Sequence, residues 1–512
     1  MQLHHNFIKV AKKNSKKIAV YDQATGKDIT YERMLIASLI LASKFSSYRG
    51  RYIGILIPTS AGSMLAILGT LMAGKIPVMI NYSTGARENA IYAQDKCSSL
   101  TIISSKKLVE KIKMKPLEGM IFLEDIMKSI TGFDKIKAAL KAKMPTPIVR
   151  NFIYKGSDEN TSVVLFTSGS EKDPKGVELS HKNIMHNVTN IPKAAVITPD
   201  FIFLANLPFF HVFGLTVNMW TPLLLGCSVV AYPNPLDYGV ICGLVRKYKI
   251  DMMAGTPAFF YGYLKKSNSG DFASVKIAVS GADKLTPHIY DAFLQKHNMM
   301  IFDGYGTTET SPVISVNTPD FHKKGSIGKP IGGVQLKIVD TMTGNELARG
   351  EEGKIIVKGD MVMKGYLGDI EETSLRIRDG WYDTGDMGVW DEDGFLWHKG
   401  RLKRFVKIGG EMVSLVRIES IMEKFIPEDA VCCVVDVPNL KKGAEIVAAL
   451  TTSEINTKKV RKLMAKELPS IALPKEFHVI EDIPMMPSGK VNFREVEKIC
   501  RAKMENKNDL GT

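Results

Sequence analysis

From residue 52 onward the chain alternates short β-prone runs with helical stretches, and this alternation constrains the fold more than any other feature. Residues 52–57 (Tyr-Ile-Gly-Ile-Leu-Ile) read as a strand, 62–73 as a helix, 76–80 as a strand, 86–97 as a helix and 100–103 as a strand. The same alternation runs on through 201–205, 227–232, 252–255 and 275–281. Parallel strands need a crossover between them, usually a helix, so the pattern predicts parallel sheet with helices on its faces. Ahead of it come a short helix, a hairpin-like pair at 17–21 and 26–31, and an amphipathic helix over 31–45. Beyond residue 325 the character changes to short strands separated by Gly and Asp-Gly turns, which reads as a β-rich subdomain. Residues 405–512 read as a compact α/β unit.

Bulk properties narrow the class without choosing a function. A chain of 512 residues, 45% hydrophobic and 24% charged, is long enough for two to four domains of an ordinary globular protein. The N-terminus has no apolar core of a secretory signal, and the most apolar stretch, 62–80, is cut by Lys75 and three glycines, so it reads as buried helix and strand. The cysteines at 97, 227, 242, 432, 433 and 500 have no metal-ligand spacing and read as core thiols of a cytoplasmic protein. A net charge of +14 calls for an acidic partner such as ATP, coenzyme A, an acidic carrier protein or anionic lipid. No recognised nucleic-acid motif accompanies that charge, so nucleic acid is not an expected partner.

Residues 105–150 hold ten lysines and one arginine. Within them Phe133, Ile136, Leu140 and Met144 share one helical face, flanked by Lys137, Lys141 and Lys143. That layout suits a helix lying on an anionic membrane, and a peripheral contact through 131–145 on the inner face of the cell membrane is one reading. The favoured reading is a surface helix whose apolar face packs on the core.

The stretch from Val163 to Ser180 carries the first chemical signal. An apolar run ends at Phe166, and Thr167-Ser168-Gly169-Ser170 supplies small residues whose hydroxyls and backbone N–H groups could wrap a polyphosphate. Pro174-Lys175-Gly176 adds a cation before the next strand. The order differs from the Walker pattern, which needs Gly-Lys-Ser/Thr entering a helix. Alone, the stretch is equally a Ser/Gly-rich hairpin.

Four further motifs follow in order: Tyr305-Gly-Thr-Thr-Glu309, Trp381-Tyr-Asp-Thr-Gly-Asp386, Gly400-Arg401 with Lys403, and Pro487-Ser-Gly-Lys490. With Thr167–Gly176 they make the chain resemble, over nearly its whole length, the adenylate-forming (AMP-binding) superfamily. The resemblance implies an α/β protein with a large N-terminal domain of stacked αβ subdomains plus a β-rich subdomain (residues 1–400). A small, mobile α+β C-terminal domain (401–512) would carry Lys490. It also implies Mg-ATP-dependent conversion of a carboxylate to an acyl-adenylate, then transfer to a thiol.

By the same resemblance Lys490 bridges carboxylate and α-phosphate, Glu309 ligates Mg²⁺, and Thr308 contacts the α-phosphate. Thr167, Ser168, Gly169, Ser170 and Lys175 hold the β- and γ-phosphates. Tyr305 stacks on adenine against Gly281 and Ala282, while Asp303, followed by Gly304, meets the adenine amino group. Asp386 takes the ribose hydroxyls, Arg401 holds ribose and phosphate, and His211 helps pass the thiol to the adenylate. Lys403 marks the interdomain hinge, and Gly409-Gly410 lines a pantetheine tunnel. Lys172 stands where the family usually has glycine.

Two features bear on substrate and acceptor. Amino-acid-activating relatives place an Asp near His211, whereas Phe210-His211-Val212-Phe213 has none, so the pocket suits an acid without an amine, such as a fatty acid. The run Phe405 to Leu415, with leucine where most acyl-CoA synthetases have proline, resembles the acyl-acyl-carrier-protein synthetases. So do Leu207 to Thr216 and Ala231 to Tyr238. The expected activity is therefore a fatty acid–acyl carrier protein ligase; the alternatives are a fatty acyl-CoA synthetase or a non-catalytic nucleotide-binding relative.

Overall fold

Two sheets with parallel centres account for the strand–helix alternation. The protein is seen in a computed structural model that describes residues 1–98, 101–167, 174–408, 411–427, 430–439, 443–485 and 491–509. The chain divides into two compact units, one of residues 1–336 and 357–382, the other of residues 337–356 and 383–512. Both large sheets belong to the first unit.

The larger sheet has nine strands in the order Lys329–Pro330, Val313–Val316, Ile301–Gly306, Ile277–Ser280, Met252–Gly255, Ile202–Ala205, Ser228–Ala231, Ile18–Asp22, Lys27–Thr30. Its centre is parallel, and both edges are finished by antiparallel strands. The N-terminal hairpin is thus an edge of this sheet: Val20 pairs with Val229, a contact no local pattern announces. The second sheet has seven strands, in the order Gly365–Tyr366, Gly176–Ser180, Thr161–Phe166, Ile76–Met79, Tyr52–Leu56, Thr101–Ser104, Met120–Phe122.

Strands buried on both faces read as continuous apolar runs, as parallel sheets require. Phe203, Val230, Met253 and Ile301 pack with the helical residues Ile241, Phe260 and Phe293 in one core. Leu56, Val78, Ile102 and Val164 do the same with Ala90 and Ala93 in the other.

The second unit contains the antiparallel pair Phe405–Ile408 and Glu411–Ser414 and a three-stranded sheet of Cys432–Asn439, Gly443–Leu450 and Glu476–Val479. Strand alternation sends neighbouring side chains to opposite faces. It places Cys432 against the core of Leu415, Ile418 and Leu450, while Cys433 packs with Val435, Val496 and Cys500. Burial pushes both thiols well above the ordinary cysteine range, which keeps them protonated and inert. Among the described residues no helix is long and apolar enough to cross a membrane.

The helix in the basic segment overturns the favoured reading of its sequence. Gly132–Lys143 is helical, started by a capping box in which Thr131 and Asp134 exchange side-chain and backbone hydrogen bonds. Its buried residues are Ala138 and Ala142, and it packs on the helix Tyr31–Phe45. Phe133, Ile136 and Leu140 point outward, 73%, 62% and 60% exposed. The physical reason lies in size: two alanines let the helices approach closely. The contact is pinned by Lys44, 3.4 Å from Asp134, and by the Lys12 ammonium donating to the Ala142 carbonyl at 2.8 Å.

Candidate active site

The C-terminal ends of two adjacent parallel strands form the first part of the site. Ile277–Ser280 and Ile301–Gly306 run in register, Ala278 beside Ile301 and Ser280 beside Asp303. Their continuations therefore bring Gly281 and Ala282 beside Asp303, Gly304 and Tyr305. Open α/β sheets bind ligands at such strand ends. A Cβ on Gly281 would lie 3.3 Å from the Phe213 ring and 3.5 Å from the Gly304 carbonyl oxygen, so any side chain there would crowd this gap. Ala282 sits at φ +71°, a left-handed conformation rare for a side-chain-bearing residue and characteristic of functional turns. Burial pushes the Asp303 carboxyl up to about 7, against weaker opposing effects of a Leu285 backbone hydrogen bond and the Lys284 charge.

Phe213 ties a second element to these strands. The segment after strand Ile202–Ala205 turns into a π-helical stretch, Gly214–Trp220, a rare geometry often found at functional sites. A Cβ on Gly214 would lie 2.4 Å from the Pro208 carbonyl oxygen, which makes glycine obligatory in this turn. The Leu215 N–H donates to the His211 carbonyl, and the His211 ring lies 4.5 Å from that of Phe210. Phe210 in turn packs edge-on against Tyr82. His211 thus heads an aromatic wall whose next aromatic, Phe213, covers Gly281.

The charged end of the site is a chain of contacts in the same unit. Strands Thr161–Phe166 and Gly176–Ser180 pair antiparallel, and the Thr167 N–H donates to the Lys175 carbonyl at 2.9 Å, so Thr167 and Lys175 face each other at the mouth of the loop. The Lys175 ammonium lies 2.6 Å from Glu372 Oε1 and 5.3 Å from the centre of the Tyr366 ring. The Tyr366 hydroxyl donates to Glu309 Oε1 at 2.9 Å. Glu309 and Thr308 lie in the 3₁₀ turn Thr308–Thr310, which is fixed by the Thr307–Thr310 capping box and by the Met363 N–H donating to the Glu309 carbonyl.

Glu372 is shared with Arg376, whose Nε is 3.1 Å from the same oxygen. Burial opposes its ionisation, but the hydrogen bonds from Lys175 and Arg376 outweigh that and hold its carboxyl below the usual range. Burial, then the Glu309 charge, pushes the Tyr366 phenol well above its ordinary range, so it stays a donor. Tyr366, Glu372 and Arg376 carry no signal that the motif reading used. Their roles come from tertiary pairing alone.

Asp386 and Arg401 belong to the second unit. They are cross-strand neighbours in the hairpin of Trp381–Trp390 and Leu396–Arg401, with Arg401 Nε 3.4 Å from Asp386 Oδ1. His398 Nε2 is 3.7 Å from the same oxygen, another residue the motif reading missed. Asp386 is 2% exposed. Ser168, Gly169, Ser170, Lys172, Gly409, Gly410 and Lys490 lie outside the described residues, as does the Lys403 side chain; Met485 and Val491, on either side of the Lys490 segment, form an antiparallel bridge.

A carboxylate oriented by a buried phenol, with an ammonium over the same ring, suits a metal–polyphosphate group: Mg²⁺ takes one or two carboxylates and completes its shell with phosphate oxygens and water. Tyr366→Phe keeps the ring under Lys175 and removes only the hydrogen bond to Glu309. It is expected to lower kcat/KM for ATP about tenfold, the size of one lost hydrogen bond to a charged group, and to raise the Mg²⁺ needed for half-maximal rate. Unchanged Mg²⁺ dependence would remove Tyr366 from the site.

The Asp303 carboxyl also makes a pH prediction. Its folded pKa lies above the unfolded value, so the native state binds the extra proton, and its contribution to stability falls as pH rises from about 4 through about 7. Asp303→Asn should therefore gain stability relative to the parent chain across that window, read as the difference in urea midpoints at pH 5 and pH 8. An equal difference at both pH values would contradict it.

Comparison with known proteins gives the family and the fold. The family model described as AMP-binding enzyme matches residues 7–367, and that described as AMP-binding enzyme C-terminal domain matches residues 418–490. 4-Coumarate–CoA ligase 4 of Arabidopsis thaliana is 28% identical over 522 residues, covering 96% of this chain and 89% of that protein. The long-chain-fatty-acid–CoA ligase of Bacillus subtilis (strain 168) is 28% identical over 516 residues, covering 92% and 90%. The fold matches the crystal structure of ATP-bound MatB from Rhodopseudomonas palustris with a TM-score of 0.84 at 24% identity, over 98% of this chain and 99% of that one. With a model match over most of its length, paired strand ends and a cation–carboxylate cluster beyond them, the chain belongs to the AMP-binding enzyme family.

Proposed function

We propose that this protein activates a fatty acid with ATP and passes the acyl group to the phosphopantetheine thiol of acyl carrier protein. A carboxylate oxygen attacks the α-phosphorus, the bond to the β-phosphate breaks, and pyrophosphate leaves with the displaced electron pair. The thiol sulfur, its proton released to solvent, then attacks the acyl carbonyl, the carbon–oxygen bond to the phosphate breaks, and AMP departs with the electron pair. Two anions meet in the first step, so fixed cations and hydrogen-bond donors at the phosphates lower its barrier. Lys490 supplies one cation at the α-phosphate. Lys175, exchanging Glu372 for phosphate oxygens, supplies another at the leaving group with Thr167, Ser168, Gly169 and Ser170.

Glu309, held by Tyr366, is the carboxylate that would hold Mg²⁺, and Thr308 beside it reaches the α-phosphate. Bound there, a cation would offset the charge of the departing pyrophosphate. Tyr305, Gly281 and Ala282 form the adenine slot, with Asp303 at its amino edge and Gly304 leaving room beside it. Asp386 and Arg401 hold the ribose, and His211 works at the acyl carbonyl when the thiol arrives. In this reading residues 401–512 form a mobile domain that turns about Lys403, withdrawing Lys490 and bringing Gly409-Gly410 to the pantetheine arm.

The choice of acid rests on the aromatic wall: Phe209, Phe210 and Val212 are buried, and no carboxylate stands among them to pair an amine. The choice of acceptor is carried by the run ending at Leu415. Leu415 opens the helix Leu415–Met422 and is 1% exposed. It packs in the core with Ile418 and Leu450, so the support for the acceptor is the resemblance of the run and not a contact made by Leu415. The net charge of +14 suits an acidic carrier protein. The second reading, a fatty acyl-CoA synthetase, is favoured by the likeness to the Bacillus subtilis ligase. We infer a cytoplasmic protein with a peripheral contact to anionic membrane through residues 131–145.

Competition decides between the acceptors. With one fatty acid, ATP, Mg²⁺ and equal concentrations of holo-acyl carrier protein and coenzyme A, mass spectrometry should find acyl-carrier protein in at least about tenfold excess, the discrimination one well-placed contact provides. Equal products, or acyl-CoA in excess, would select the second reading.

A further inference from the structure

The outward face of the helix Gly132–Lys143 is an apolar stripe that stands exposed among the described residues. Phe133, Ile136 and Leu140 recur at the spacing of one helical face, and each is at least 60% exposed. Ala138 and Ala142, which pack on the body of the protein, lie about half a turn away around the helix axis. The stripe is therefore the face the fold leaves free. Exposed apolar side chains scattered singly need no explanation, but three in register on one helix form a contact surface.

Charge says what the surface fits. Residues 128–155 contain six lysines (128, 135, 137, 141, 143 and 155) and Arg150 against a single acid, Asp134. Asp134 is itself paired with Lys44 from outside the segment, so it offsets none of the local cations. Lys137 and Lys141 border one side of the stripe and Lys143 the other. The Lys141 ammonium lies 4.5 Å from the centre of the ring of Phe152, itself 46% exposed, which extends the apolar surface beyond the helix. Long lysine stems beside an apolar stripe let the side chains enter an acyl boundary while the ammonium groups stay among headgroups.

We propose that this face docks flat on an anionic phospholipid surface, with Phe133, Ile136 and Leu140 inserted at the headgroup–acyl boundary and the surrounding lysines paired with lipid phosphates. Such binding adds buried apolar area to electrostatic attraction, and either alone is weak. A second copy of this chain would not pair these lysines, since two such faces repel each other, and a carboxylate-lined protein groove as the occupant would leave the parent chain unable to float. The inference deepens the peripheral contact proposed above and stands whatever the acid and acceptor prove to be.

Vesicle flotation of the full chain without ATP or acid tests it. The parent chain should float with vesicles of equal parts phosphatidylglycerol and phosphatidylcholine, and not with phosphatidylcholine alone. Raising salt to about 0.5 M should weaken the binding, since the Debye length then shrinks below about 5 Å. The triple variant Phe133→Ser, Ile136→Ser, Leu140→Ser should keep its melting temperature, because these side chains are mostly exposed, and lose at least about tenfold in partition coefficient. The double variant Lys137→Glu, Lys141→Glu should lose the preference for anionic vesicles. Failure of the parent chain to float, equal binding to neutral vesicles, or undiminished flotation of the triple variant would overturn the proposal. So would a concentration-dependent dimer that the triple variant abolishes without any change in flotation.

Discussion

The hydrogen bond from Tyr366 to Glu309 is the contact on which the charged end of this protein depends. A carboxylate near a polyphosphate must stay ionised, keep one orientation, and still have an oxygen to offer a cation. The buried phenol fixes the orientation with one 2.9 Å contact and leaves the second oxygen to other partners. The same ring lies under the Lys175 ammonium, so one side chain fixes a cation and an anion at once. Glu372 completes the arrangement by holding Lys175 in place while sharing its oxygen with Arg376. Two cations and two carboxylates are thereby positioned before a substrate arrives, which is what makes electrostatic catalysis effective.

The uncharged end depends on close approach rather than charge. Strands Ile277–Ser280 and Ile301–Gly306 end side by side, and Gly281 keeps the space above them open, since a Cβ there would lie 3.3 Å from the Phe213 ring. Phe213 reaches this gap from the π-helical segment, so the aromatic wall around His211 and the strand ends are parts of one packed structure.

The local chemistry of this fold was legible in the sequence where periodicity decides, and illegible where distant pairing does. The helix Tyr31–Phe45, the strand runs after residue 52 and the hairpin around Thr167 and Lys175 follow from apolar spacing and turn residues. The resemblance named Glu309, Asp303, Tyr305 and Asp386 by motif. It could not find Tyr366, Glu372 or Arg376, because a tyrosine, a glutamate and an arginine after a Gly-Tyr turn look like any solvated surface. Nor could it see that the first hairpin joins the edge of a sheet whose next strand lies at Ser228–Ala231. The helix Gly132–Lys143 is the sharpest case. Hydrophobicity alone assigns its larger residues to the core, but two alanines fit the closer packing against Tyr31–Phe45, and the larger side chains were left outside.

What unites these observations is a site that activates an acid before any thiol is bound. ATP–pyrophosphate exchange with a fatty acid, Mg²⁺ and no thiol measures that step in isolation. Acid-dependent exchange in the parent chain that is lost in Lys490→Ala is the predicted result. Nucleotide binding with no acid-dependent exchange would contradict the account and leave a nucleotide-binding protein in place of a ligase.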